Sequence, residues 1–109
     1  MPILYHITTQ KQATDAKAVG IYTPTEYEKD GFIHCSYVTQ VAGVANRIFR
    51  GKSNLVLLKV DSSALAARVV DENLEGGTEL FPHIYGELPW AAVVEVIPFA
   101  PDPDGVFRL

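Results

Sequence analysis

Cysteine is almost missing from this chain: Cys35 is the single one in 109 residues. That excludes an internal disulfide framework and a multi-thiolate zinc site, and it fits a reducing cytoplasm. No run of about 18 consecutive apolar residues occurs, and the opening Met1-Pro2-Ile3-Leu4-Tyr5-His6 has no basic segment leading into a long apolar one. Neither membrane insertion nor export is therefore expected. Basic excess is missing too. A net charge of −4 argues against binding nucleic acid by phosphate neutralisation, which needs clustered Lys and Arg. The nearest basic group, Arg47, Arg50 and Lys52, ends a predicted helix, where the helix dipole favours cations. A small nucleotide stays allowed, because one or two cations or backbone amides hold a phosphate. There is no internal repeat, linker or low-complexity tract. With 48% hydrophobic and 20% charged residues, the chain reads as one globular domain that folds by itself.

Several elements can be read from residue pattern. Thr9-Gln10-Lys11-Gln12 forms a capping box, Ala13, Ala16 and Val19 give a weak apolar stripe, and Gly20 ends the helix. Thr23-Pro24-Thr25-Glu26 repeats the capping signal for a brief helix before the Asp30-Gly31 turn. Val41, Val44, Ala45, Ile48 and Phe49 trace the stripe of an amphipathic helix that Gly51 stops. Leu55 to Val60 is nearly all apolar, the mark of a central strand covered on both faces. Asp61 caps a single turn through Ala64-Leu65-Ala66, and Arg68 to Glu72 is a further strand. Asn73 to Thr78 is a loop. Ala91 to Ile97 is the last strand, and Pro98, Pro101 and Pro103 are expected to end ladder formation.

What the chain does have is three histidines, each inside a short apolar run: Ile3-Leu4-Tyr5-His6-Ile7, Gly31-Phe32-Ile33-His34-Cys35-Ser36 and Phe81-Pro82-His83-Ile84-Tyr85-Gly86. On strands, alternation puts His6 with Leu4, His34 with Phe32 and Ser36, and His83 with Tyr85. If those strands are neighbours, one wall of a cleft carries imidazoles, a hydroxyl and a phenol. Imidazoles near their ordinary pKa of about 6.5 donate, accept or exchange protons, which suits sugar hydroxyls, phosphates or acid–base work.

The alternatives stand beside this reading. Three imidazoles and a water can hold zinc, but the histidines lack the close spacing of metal-binding pairs. Each histidine can equally serve as a hydrogen-bonded structural group, leaving a non-catalytic binding or partner module. Cys35 faces away from His34 and reads as a small buried hydrophobe. Ser36 has the favourable face for a nucleophile, yet can also satisfy backbone groups at a strand end. Glu72 ends its strand at a sheet margin, while Glu79 and Glu87 read as solvated carboxylates. Trp90 reads as a packing anchor; Trp90 and Phe107, if exposed, are candidates for a dimer seam.

Tyr5-His6-Ile7, the hexapeptide around His34, Gln40 and the hexapeptide around His83 together resemble the family labelled domain of unknown function 952, from Ile3 to about Gly105. That family has been grouped by fold similarity with ADP-ribosyltransferases. The resemblance implies a compact α+β domain with a split, bent, mostly antiparallel sheet and two or three short helices around a dinucleotide cleft, with NAD as substrate. It also implies roles: His6 holds the nicotinamide-side ribose, His34 or Ser36 lies beside the nicotinamide, and Glu72 is the nearest match to the acidic position. Glu87 stands where relatives more often carry proline. His83 and Tyr85 match the family's own hexapeptide and are expected to hold the acceptor or a phosphate. The expected catalytic pair is thus Glu72 and His34, with His6, Ser36, His83 and Tyr85 binding a nucleotide-like ligand and no resident metal.

Overall fold

The apolar run at Leu55 to Val60 organises the molecule. In the computed structural model, which describes residues 3–24, 27–73 and 77–109, the elements follow in the order β1 (Ile3–Thr9), α1 (Gln10–Val19), β2 (Ile21–Tyr22), α2 (Tyr27–Asp30), β3 (Ile33–His34), α3 (Val41–Ile48), β4 (Leu55–Asp61), β5 (Arg68–Glu72), β6 (Phe81–Tyr85), β7 (Leu88–Pro89) and β8 (Val93–Phe99). Short 3-10 turns occupy Val38–Gln40, Ser62–Ala64 and Trp90–Ala92. Every strand pairing among these residues is antiparallel. The fold class is α+β, as expected.

β4 lies between β1 and β8, with His6 opposite Leu58. Its even-numbered residues Val56, Leu58 and Val60 join Leu4, the α1 residues Ala13 and Ala16, and Ile33, Cys35 and Ile84 in one core. Leu55 and Leu57 point the other way, with Ile7, into a second core made by Val41, Val44 and Ala45 of α3 together with Phe99 and Phe107. Both faces of β4 are covered, which is why its sequence shows no polar alternation. A second sheet, of order β3-β6-β5, packs its Ile33, Cys35 and Ile84 face against the first core. The two sheets are joined by one rung, in which Tyr5 N donates to Ser36 O and Ser36 N to Tyr5 O, both at 2.8 Å. β2 and β7 form a small ribbon beside α1.

Local signals acted in part as expected. Thr9 caps α1 by accepting from Gln12 N at 3.1 Å, and Gly20 ends it with φ of 96°. Val19 is exposed rather than part of the buried stripe. In α3, Val41, Val44 and Ala45 are buried and Ile48 is half exposed. Asp61 caps the following 3-10 turn through Ser63 N. Thr25 and Glu26 of the Thr23-Pro24-Thr25-Glu26 capping signal, and Leu74 to Gly76 of the Asn73 to Thr78 loop, lie outside the described residues.

Two expectations need correction. The last strand starts at Val93, after a 3-10 turn at Trp90–Ala92, and runs through Pro98, which sits opposite Val56. β8 is an edge strand, where a residue without an N–H can be accommodated. Phe107 is no surface hydrophobe: it is 1% exposed, its ring lies 5.0 Å from that of Phe99, and Asn46 pins its backbone from both sides, accepting from Phe107 N at 2.7 Å and donating to Phe107 O at 2.9 Å. Trp90 packs, partly buried, against the first core. No helix among the described residues is long and apolar enough to cross a membrane.

Candidate functional site

β1 is paired with β4 along one edge, and its other edge carries the single rung to Ser36. Beside that edge lies a cleft of about 690 Å³. His6 and Thr8 of β1, Tyr22 of β2, His34 and Ser36 of the second segment, and His83 of β6 all border it, with Lys29 and Asp30 also on its lining.

On the β1 wall, alternation turns His6 and Thr8 to the same side, and Tyr22 reaches them from across α1. His6 Nδ1 donates to the His34 backbone carbonyl at 2.7 Å, and His6 Nε2 is 2.7 Å from the Tyr22 hydroxyl. That hydroxyl is also 2.9 Å from Thr8 Oγ1, and Thr8 donates to Gln12 Oε1 at 2.5 Å. A hydroxyl has one proton, so Tyr22 donates to one of its neighbours and accepts from the other. His6 is 8%, Thr8 4% and Tyr22 2% exposed, so these bonds replace hydration for groups that would otherwise be costly to bury.

The other wall is the polar face of the second sheet. His34 and His83 are directly opposite on β3 and β6, their ring centroids 5.2 Å apart. Phe32 stacks on His83 at 4.0 Å with the planes 14° apart. Behind the cleft, Glu72 Oε1 accepts from His83 Nδ1 at 2.9 Å and from the Tyr85 hydroxyl. These come together because Glu72 faces Phe81 across the β5–β6 ladder, one diagonal step from His83. The Tyr85 hydroxyl, followed by the His83 imidazole, holds the Glu72 carboxyl below its ordinary range, and the carboxylate raises the Tyr85 phenol in return. The Arg68 guanidinium lies 5.6 Å from the Tyr85 ring centre.

Of the residues singled out from sequence, His6, His34, Ser36 and His83 therefore border one cleft, whereas Glu72 and Tyr85 are not among its lining and meet it through His83. A carboxylate in that position orients the His83 ring that does line the cleft. Glu87 is exposed, and Glu79 accepts from Gln40 at 3.1 Å. Cys35 is buried in the first core, and burial pushes its thiol far up. Arg47 lies over the Phe81 ring at 5.9 Å. No group of three or more His, Cys, Asp or Glu side chains among the described residues is gathered to hold a metal ion. Both His6 nitrogens are already engaged.

Sequence reasoning missed Tyr22, Thr8 and Gln12. Thr8 was findable, since it follows His6 by two on the same strand and so shares its side. It also missed Tyr37, which donates to Asp71 at 2.5 Å and whose phenol is pushed up to about 12, first by burial and then by that bond.

The family model described as "Protein of unknown function (DUF952)" matches residues 7–96. Among solved structures, the crystal structure of protein CC0527 from Caulobacter crescentus is 35% identical, with a TM-score of 0.86 over 98% of this chain and 94% of that one. The solution NMR structure of CC0527 is likewise 35% identical, with a TM-score of 0.86 over 100% and 94%. No curated protein matches the chain.

Proposed function

Starting from a chain that belongs to the DUF952 family, we propose that the cleft binds a nucleotide-like small molecule, NAD or another ADP-ribose compound, and that ribosyl transfer is its chemistry. One observation carries the reading: side chains from three distant stretches, including His6, His34, Ser36 and His83, border a single cleft of about 690 Å³, within the range of roughly 300–1,000 Å³ common for small-molecule sites. The stacked Phe32 and His83 rings and the neighbouring His34 suit a planar base, Ser36 suits a hydroxyl or amide, and Lys29 on the lining suits a phosphate. His34 and Ser36 frame the base. His83 meets the acceptor or a phosphate, with Glu72 and Tyr85 acting through it.

The test is a thermal shift with NAD, ADP-ribose and AMP in turn. Ligand at ten times its dissociation constant adds about 1.4 kcal/mol, or roughly 6 °C for a domain of this size. No shift with any of the three at millimolar concentration overturns the reading. The engagement of both His6 nitrogens favours a second reading, a non-catalytic module whose histidines hold the strand junction. In that case His6→Ala and His34→Ala lower stability and change no ligand affinity.

A further inference from the structure

We infer that His83 is the proton acceptor of this cleft, presenting Nε2 to a hydroxyl of the bound molecule or its acceptor, and that Glu72 is the residue that positions it. The inference rests on the cleft being a ligand site and names the group that does the work there.

An ionised carboxylate only accepts hydrogen bonds, so the bond of 2.9 Å between Glu72 Oε1 and His83 Nδ1 puts the proton on Nδ1. In the neutral ring the lone pair is then on Nε2, at the opposite edge of the imidazole. His83 borders the cleft and Glu72 does not, so the edge away from the carboxylate is the one available to a ligand. The ring cannot turn freely: it is 3% exposed, Phe32 stacks against it at 4.0 Å, and His34 faces it at 5.2 Å. The carboxylate is fixed in turn by Tyr85, whose ring has Arg68 beside it. An acceptor, an orienting carboxylate and a buttress for that carboxylate form the arrangement that holds a histidine base in one tautomer.

In the step this allows, the O–H bond of an alcohol or water breaks, its proton joins His83 Nε2, and the electron pair stays on oxygen, which becomes the nucleophile. The imidazolium so formed faces the Glu72 carboxylate. The proton later leaves to the departing group or to bulk water, which returns the ring to its starting form.

The experiment uses the whole chain with 15N-labelled histidine. Long-range proton–nitrogen spectra taken at about pH 8.5, some two units above the ordinary imidazole value, should show His83 protonated at Nδ1. Glu72→Ala should admit the Nε2-protonated form, and Glu72→Gln, whose amide oxygen still accepts, should restore the original one. His83 found protonated at Nε2 in the unaltered chain overturns the inference. Adding ADP-ribose should move the His83 Nε2 resonance. A thermal shift with ADP-ribose and an unmoved Nε2 overturns the inference alone. The absence of any shift overturns the ligand reading, while the tautomer measurement still decides what Glu72 does.

Discussion

Tyr22→Phe isolates one hydroxyl in an otherwise unchanged core. The ring stays packed with Ala13, Ala16 and Leu88 in the first core, and the substitution takes away the oxygen that bridges His6 Nε2 and Thr8 Oγ1 at 2.7 and 2.9 Å. Each such bond contributes about 1 kcal/mol net, and depriving a buried polar group of its partner costs about 1–3 kcal/mol. Two bonds are lost and one buried hydroxyl no longer has to be desolvated, so the expected destabilisation is about 2 kcal/mol. Against a total stability of roughly 5–15 kcal/mol that is large, and it lowers the melting temperature by about 8 °C. Urea unfolding should show a reduced midpoint with an unchanged slope. Thr8→Val should cost less when Tyr22 is already Phe, with the two effects falling short of additivity by at least about 0.5 kcal/mol. A loss below about 0.5 kcal/mol for Tyr22→Phe, or full additivity, refutes the view that this hydroxyl ties β1 to β2.

Two further predictions concern other parts of the fold. At Gly86 a Cβ would stand 2.6 Å from the Cβ of Ala67, so Gly86→Ala should cost about 1–3 kcal/mol by overpacking, and adding Ala67→Gly should recover part of it in denaturant unfolding. Glu72 is held below its ordinary value of 4.5, so it binds a proton less readily folded than unfolded. Its contribution to stability is present above about pH 4.5 and is lost as pH falls through the lowered value. Melting temperature plotted against pH should therefore fall less steeply on the acid side in Glu72→Gln than in the unaltered chain.

The sequence carried the face of each strand better than the connections between strands. Alternation alone put Phe32, His34 and Ser36 on one side and Ile33 and Cys35 on the other, and the His34–His83 pairing made those sides into one wall. The apolar run of β4 announced a central strand because both its faces are covered. Tyr22 left no such trace. It lies in a two-residue strand, too short for any period to show, and its partners arrive from across a helix. Glu72 was legible as a residue at a sheet margin, but its bond to His83 depends on the β5–β6 register, which follows from tertiary packing. Pro98 misled for a related reason: proline forbids a ladder bond on one side, and only the strand order shows that this side is an edge.

The short β3 makes the wall of the cleft a matter of parity. Even-numbered positions from Phe32 to Ser36 look into the cleft and odd-numbered ones into the core, so a one-residue slip of the pairing that sets His34 opposite His83 would present Ile33 and Cys35 to the ligand side and drive an imidazole into oil. A slip of two residues keeps the assignment. The register of this two-residue pairing, more than the chain that leads into it, thus decides which side chains a ligand meets.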